Sequence, residues 1–530
     1  MTLEEEPIIE EGSESLKSLG LKTARRGSIF VSGKLVNAVV ALAILVYLAR
    51  ALRPVDYGLY TIVMAYSLVL GMGGNFGMGT AFRKMVPERI GNTELVRKLV
   101  SNGIFVSAGV ALVISIAGIA ASPYIASNIY HNPSITIPLM IAAASIVLSV
   151  LFNASVSALV GMHRAWESTV ANLFYSISQL ALIILLVSMG YGILGAMSAY
   201  AVSIIIGSAV SFAYLAKYLG AKIEKAERKI ISEITRFSMP VVASNVAMLG
   251  IMNFAPMLLG IYVGAAVVGN YGIALRGSRF IDLLITSITF ILLPAFSTML
   301  ASREMREKAE RAINSSIYYT FLLLLPLIAY MIGSAYPLIF LLFSKSYSTA
   351  PVYISIALAG LAIEVIWSIS STLVIGHGNT KRFMQYQLSI VAIELASLIV
   401  LTPIYKAYGA LVAVFIIAPV VAVLLYMRLL RKEFAIRVSL HKPARLALAA
   451  LIIALVSAYL SFAMHQSKYA LVTNLIIVLL AYPALASWFG AVDKATLEFI
   501  GESAKGLGIL GKAISAYLAY FRVFAKPSRA

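Results

Sequence analysis

The chain has 530 residues, 60% of them hydrophobic and 12% charged, with a formal net charge of +19 and no cysteine. A water-soluble domain carries about a quarter charged residues, so a soluble globular protein is excluded, and the lack of cysteine excludes disulfides, thiolate metal sites and cysteine nucleophiles. The basic excess sits in short gaps between apolar blocks, which reads as membrane topology and not as a nucleic-acid surface.

The opening MTLEEEPIIEEGSES is acidic, without a basic n-region or a small-residue cleavage site, so residues 1–27 read as a cytoplasmic tail and not as a cleaved leader. Apolar blocks that match the roughly 20-residue helix needed to cross a bilayer then follow. They lie at 28–48, 58–82, 99–121, 135–161, 168–189, 192–216 and 238–263. Seven more lie at 268–299, 313–341, 351–376, 383–404, 407–427, 445–464 and 469–489. All are expected to be helices, because lipid offers no partner for open backbone groups. The expected fold is therefore an all-α polytopic membrane protein of about fourteen spans. With the N-terminus inside, 34 of the 42 Lys and Arg residues fall in inside segments, 5 outside, and three (Lys34, Arg276, Arg279) within spans. That bias predicts both termini in the cytoplasm, with the chain in the cell membrane.

The chain repeats itself. LARALRPVDYGLY around Tyr57-Gly58 is answered by LGIYVGAAVVGNYGIA around Tyr271-Gly272. LVGMHR around Gly161 is answered by LVIGHGNTKR around Gly376, and YGILGA at Tyr191-Gly192 by YGALVA at Tyr408-Gly409. The offsets are 214, 215 and 217 residues. Six spans per copy is an even number, so the copies are parallel: an N-lobe over 28–216 and a C-lobe over 238–427, joined by a basic cytoplasmic linker at 217–237. A cytoplasmic loop and segments 13 and 14 (428–489) lie outside the duplication. The tail, 490–530, mixes apolar and basic residues at helical spacing, which leaves an interfacial amphipathic helix or a loosely ordered tail. A duplicated membrane bundle points to a transporter.

Charge inside a bilayer costs roughly 2.5 kcal/mol or more per residue, so each intramembrane charge needs a reason. Lys34 lies in segment 1 and either snorkels to the inner headgroups or faces a cavity. Arg50 and Arg53 end that segment beside Pro54; interface anchoring suits Arg53, and Arg50 is also placed to face a cavity mouth. Arg276 and Arg279 stand on the order of 10 and 15 Å deep in segment 8. Their i, i+3 spacing shares one face, and Asp282 follows at the same step. The group is either an internal ion pair or a cationic site on a water-filled cavity, suited to an anionic group such as phosphate. Gln179 and Glu394 stand 18 residues after Gly161 and Gly376, at equivalent depths of the two copies. They, and Glu364 in segment 10, are either helix–helix hydrogen-bonding groups or cavity groups, Glu394 being a candidate protonatable coupling site.

Segment 2 contains GMGGNFGMG (Gly71 to Gly79), read either as close packing through small residues or as a pliable helix. Pro240, Pro256 and Pro294 are expected to kink segments 7 and 8. Gly506 to Ala513 imitates a phosphate-binding loop, but it lacks the Ser/Thr for magnesium and a preceding strand. The five histidines are scattered without metal-ligand spacing. No enzyme activity, cofactor or metal is therefore expected, and transport energy would come from a proton, a sodium ion or the membrane potential.

The stretch LARALRPVDYGLYTIVMAYSLVLGMGGNFGMGTAFRKMVPE, with the later YGILGA, resembles the polysaccharide and lipid-linked oligosaccharide flippases of the multidrug/oligosaccharidyl-lipid/polysaccharide exporter superfamily. The resemblance covers most of residues 20–430. It implies two six-helix lobes around a central cavity, alternating access, and a sugar chain on a polyprenyl phosphate or diphosphate carrier. It also implies membrane lipids and glycosyltransferases or a polymerase of the same pathway as partners, and no nucleic acid. In the related lipid II flippases, cavity arginines hold the diphosphate. Lys34 here falls where their first helix has an arginine, sixteen residues before Arg50, and Arg276 and Arg279 fall in the matching segment 8; Arg83 and Lys84 are nearest to their helix 2 pair. Lysine at 34 departs from that pattern and puts bidentate phosphate binding there in question. A cation-coupled multidrug exporter of the same fold, a lipid II-type flippase and a non-transporting scaffold are the competing readings. The first needs an acidic cavity, which the basic deep charges of segment 8 disfavour.

Overall fold

The structure is a computed structural model. It describes the backbone of residues 9–75, 77–222, 224–297, 303–377, 380–494, 497–498, 502 and 508–524, and side chains within 36–75, 77–222, 224–239, 253–293, 295–297, 306–377, 382–494 and parts of 497–524. The described chain is helical, without strands. In order the α-helices are α1 (Ile9–Gly74), α2 (Met78–Met85), α3 (Thr93–Tyr124), α4 (Thr136–Gly161), α5 (Ala165–Leu186), α6 (Gly192–Leu219), α7 (Arg228–Tyr262) and α8 (Ala265–Ser297). They continue as α9 (Arg303–Gly333), α10 (Ala335–Leu342), α11 (Ala350–Gly376), α12 (Thr380–Val412), α13 (Ala418–Glu433), α14 (His441–Ala463), α15 (Tyr469–Trp488) and α16 (Gly508–Phe524). Among the described residues, 10 helical stretches are long and apolar enough to cross a membrane. The chain is a multi-pass membrane protein.

Three of those stretches, Val36–Gly74, Ala165–Leu219 and Arg382–Glu433, each hold two predicted segments. The helix breaks within each of them. Arg53 has φ 62 before Pro54, Gly190 and Gly192 have φ 88 and 53, and Lys406 has φ 55. Proline disfavours helical backbone in the residue before it, which accounts for the break at Arg53. The two non-glycine residues hold a conformation that costs on the order of 1–3 kcal/mol each. The glycine run of segment 2 ends α1 at Gly74, and Gly77, at φ 64, caps α2. Gly73 and Gly74 would set a Cβ 3.1 and 3.0 Å from Ile114 and Ile146, so close packing accounts for them. Pro240 and Pro294 lie outside the described side chains.

The chain divides into two compact units, Met1–Met257 and Leu258–Ala530, with the boundary inside α7. The repeat landmarks make like contacts in each unit. Tyr57 and its counterpart Tyr271 are both fully buried. Gly161 ends α4 against α2, where a Cβ would stand 2.6 Å from the Phe82 carbonyl oxygen; Gly376 ends α11 against α8, where it would stand 3.1 Å from the Ser297 nitrogen. The landmark glycines therefore let a helix end meet backbone. Apolar burial gives helices little preference for each other in lipid, so small residues and interhelical hydrogen bonds carry the packing. In the first unit Ser155 and Ser211 share a hydroxyl–hydroxyl bond of 2.6 Å, and the Tyr66 hydroxyl donates to the Gly118 carbonyl at 2.7 Å.

A second duplicated device lies in the loops. Asn102 of α3 donates to the Lys225 carbonyl (3.4 Å) and accepts from the Glu227 N–H (2.8 Å). Asn314 of α9 donates to the Arg437 carbonyl (3.0 Å) and accepts from the Ser439 N–H (2.7 Å). All three pairs differ by 212 residues, so each unit clamps the loop after its sixth segment with one asparagine. The first unit adds ion pairs, Arg97 to Glu224 at 2.6 Å and Lys98 to Glu227 at 3.1 Å. The Arg97 guanidinium, hydrogen-bonded to Glu224, holds that carboxyl below the ordinary value of 4.5. A depressed folded pKa stabilises above the ordinary range and is lost as pH falls through the folded value. The hydrogen-exchange protection of the Glu227 amide, measured against its intrinsic rate, is therefore expected to fall as the pH drops below about 4.5. Arg97→Met should show that lower protection already at neutral pH. An unchanged exchange profile in the variant would show that Asn102 alone holds the loop.

Segments 13 and 14 correspond to α14 and α15, and they attach to α9 where that helix stops. The Gly333 carbonyl, freed by the break before Ser334, accepts from Ser461 (2.8 Å) and from Asn474 (3.3 Å), which also donates to the Ser334 hydroxyl (3.0 Å). The predicted tail forms α16, whose Leu518 and Phe521 are buried and whose Tyr520 hydroxyl donates to the Leu480 carbonyl of α15 at 2.9 Å. Of the sequence that imitates a phosphate loop, residues 506–507 lie outside the described residues, and from Gly508 it is helix.

Candidate functional site

Helix α8 presents two faces. Val268, Tyr271, Leu275, Ser278, Ile281 and Ile285 are buried in the second unit, where α8 packs along α11. Arg276, Arg279 and Asp282 lie off that stripe, and Arg276 and Asp282 are half-buried while Arg279 is exposed. The i, i+3 spacing dictates this, because three steps of 100° come within 60° of a full turn, so successive members of the series are neighbours on the helix surface. Arg279 lies in the electrostatic field of both Arg276 and Asp282. It does not close with Asp282 to an ion pair within 4.0 Å among the described residues. Asp282 instead has Thr286 beside it, whose hydroxyl donates to its carboxylate at 3.5 Å and to its backbone carbonyl at 2.6 Å.

Two further carboxylates approach from neighbouring helices. Glu364 of α11 lies within electrostatic reach of Asp282 and of Glu394 on α12, and both glutamates are half-buried. The second unit thus gathers five of the eight predicted site residues: Arg276, Arg279, Asp282, Glu364 and Glu394. Tyr271, which the repeat marks but which carries no predicted role, joins them. Its hydroxyl is fully buried without a hydrogen-bond partner and lies within reach of Glu394. A tyrosine in the buried stripe of a membrane helix needs a partner for its hydroxyl, and that requirement was the signal available in the sequence.

The remaining predicted residues belong to the first unit. Gln179 is buried in α5 beside Tyr175. Arg50 is exposed at the end of the first segment. Lys34 lies outside the described side chains. Lys84, the sequence candidate at the end of segment 2, has its ammonium 4.7 Å from the centre of the Phe237 ring and lines a cleft of about 550 Å³ with Lys229, Arg236 and Glu233. Among the described residues no group of three His, Asp or Glu side chains is arranged to hold a metal ion.

Chemically, the second unit offers a guanidinium pair, one member open, next to carboxylates and a free phenol. Guanidinium groups suit phosphate, because their fork of donors matches its oxygens. Carboxylates in the same apolar unit can take up protons or a cation.

No curated protein matches the chain. Among solved structures, the fold is similar to one titled lipid II flippase MurJ in an inward closed conformation (17% identity, 87% of this chain and 98% of the other, TM-score 0.70). It is also similar to an inward-facing multidrug resistance MATE family transporter of the MOP superfamily (17%, 75% and 94%, TM-score 0.60). A third similar structure is a MOP superfamily transporter from Pyrococcus furiosus whose title describes a binding pocket of reverse polarity (17%, 77% and 93%, TM-score 0.51). At these identities the likeness is one of fold. A family model described as polysaccharide biosynthesis protein matches residues 24–300, more than half of the sequence. The chain belongs to that polysaccharide biosynthesis protein family.

Proposed function

We propose that the protein is a flippase that carries a lipid-linked oligosaccharide or polysaccharide repeat unit, on a polyprenyl phosphate or diphosphate, from the cytoplasmic to the outer leaflet. The observation that carries this reading is the α8 pair, with Arg279 exposed in an apolar span and unpaired by Asp282. A charge held in that state needs water or an anion beside it. The family and the fold support the same reading. Fourteen crossings, cytoplasmic termini, the cell membrane as location, alternating access between the lobes, and enzymes of the same pathway as partners belong to the proposal. Glu394 and Glu364 are its candidate coupling groups, serving a proton or sodium ion.

One observation favours a second reading. Asp282, Glu364 and Glu394 share one unit, and an acidic cavity suits an organic cation, as in a cation-coupled multidrug exporter. Wild-type protein in proteoliposomes separates the two. A fluorescent prenyl-diphosphate oligosaccharide should be translocated, and ethidium driven by a proton or sodium gradient should not. Ethidium export without translocation of the lipid-linked sugar would replace the flippase reading by the exporter.

A further inference from the structure

At the end of α13 the chain forms a cavity of about 740 Å³ lined by Arg428, Arg431, Lys432 and Arg437 together with the apolar Met427 and Ile436. None of the four cationic side chains makes an ion pair within 4.0 Å or a hydrogen bond among the described residues. Two acids beside these residues bond to other groups. Glu433 pairs with Arg382 at 3.1 Å, and Glu310 accepts the backbone N–H of Arg437 at 3.1 Å. That bond and the Asn314 clamp fix the loop that carries Arg437.

Topology alone does not call for this arrangement. The positive-inside bias needs charges near the membrane, not a cavity or a fixed loop. The first unit makes the contrast. At the clamp offset the matching stretch, residues 216–225, carries Lys217, Lys222 and Lys225, and its loop also carries Glu224 and Glu227, which are ion-paired to Arg97 and Lys98. The second unit uses the same loop device with Ile436 and Ser439 in place of the two acids.

The face of α13 above the cavity is apolar and open. Val420 is 38% and Leu424 63% exposed, and each stands four residues from the next on a line that runs into Arg428. Apolar surface leading into a basic cavity at headgroup level fits an amphiphile, with chains on the helix and phosphate in the cavity. A soluble anion would use only the second half of that surface.

We infer that this cavity binds the phosphate head group of an anionic phospholipid of the cytoplasmic leaflet, with an acyl chain along Val420 and Leu424. Its residues are distinct from the arginines of α8, and the inference rests on the orientation read from the charge bias and not on the transported substrate. Polybasic sites gain about 1 kcal/mol, or about fivefold, per cation near an anionic membrane surface.

Native mass spectrometry of the full chain in detergent tests it, with diphosphatidylglycerol, phosphatidylcholine and inorganic pyrophosphate as probes. Diphosphatidylglycerol should be retained in preference to phosphatidylcholine. The variant R428Q/R431Q/K432Q/R437Q should bind it more than about a hundredfold more weakly, while R428K/R431K/R437K keeps most of the affinity. The separate variant R276Q/R279Q should bind it as the wild type does, whether or not transport survives. If the quadruple variant does not fold, R428Q/R431Q and K432Q/R437Q should each weaken binding by more than about tenfold. Undiminished binding in these variants, equal retention of phosphatidylcholine, or displacement of the lipid by pyrophosphate would each overturn the assignment, the last in favour of a soluble polyanion.

Discussion

Gly360→Leu is expected to leave no monodisperse folded protein, and Gly360→Ala to lower stability by about 3 kcal/mol. A Cβ at Gly360 would stand 2.1 Å from the Phe415 carbonyl oxygen and 2.6 Å from its Cβ. Phe415 lies in the π-helical turn Ala413–Ile417 that joins α12 to α13. Such a turn carries an extra residue and swells the helix on one side. Here the swelling meets α11, the helix against which α8, α9, α12 and α13 all pack. A side chain at 360 would therefore push the central helix of the unit away from its neighbours. Glycine itself costs about 1 kcal/mol against alanine within a helix, so its place in α11 is explained by the contact. Gly71 is the control, because a Cβ there meets nothing within 4 Å. Gly71→Ala should melt at or above the wild-type temperature. Thermal unfolding in detergent measures all three variants, and a Gly360→Leu protein that melts with the wild type would remove the argument.

The repeat, the helical class and the charged face of α8 were legible because each follows from spacing. The repeat marks Tyr57 and Tyr271 as a matched pair, and both are buried; it marks Gly161 and Gly376, and both meet backbone. The Asn102 and Asn314 clamps are less legible, although the sequence carries a signal for them. Asn102, Lys225 and Glu227 recur as Asn314, Arg437 and Ser439 at one offset of 212. What hid them is that the clamp acts through backbone groups of the loop, so residues 225 and 437 need not share a side chain. The breaks at Arg53 and Lys406 were legible only as segment boundaries. Pro54 announces the first, while Lys406 has proline at 403, three residues before, and nothing local demands φ 55 of a lysine. The neighbourhood of Asp282, Glu364 and Glu394 could not be read, because it depends on how three helices turn about their own axes, and periodicity leaves that angle open.

Replacing Arg276 and Arg279 together by alanine is expected to cut translocation of a prenyl-diphosphate oligosaccharide by two orders of magnitude or more. A hydrogen bond to a charged group contributes about 1.5–3 kcal/mol, and every 1.4 kcal/mol is about tenfold in an equilibrium or rate. The lysine pair R276K/R279K keeps the charge but loses the planar fork of donors, so its rate should fall between alanine and wild type. Stability gives the second readout. An internal lock on α8 would lose melting temperature along with transport. A site open to an anion would lose transport while stability holds or rises, because removing charge from an apolar span relieves an insertion cost of roughly 2.5 kcal/mol per residue. The repeat explains why the test belongs in one unit. The counterparts of Arg276 and Arg279 are Ile62 and Ala65, which are 1% and 4% exposed. At that register the first unit fills the face with packing and the second leaves it open to charge. Loss of transport together with a lowered melting temperature would assign the pair to the fold and leave the phosphate end of the proposed substrate to other residues.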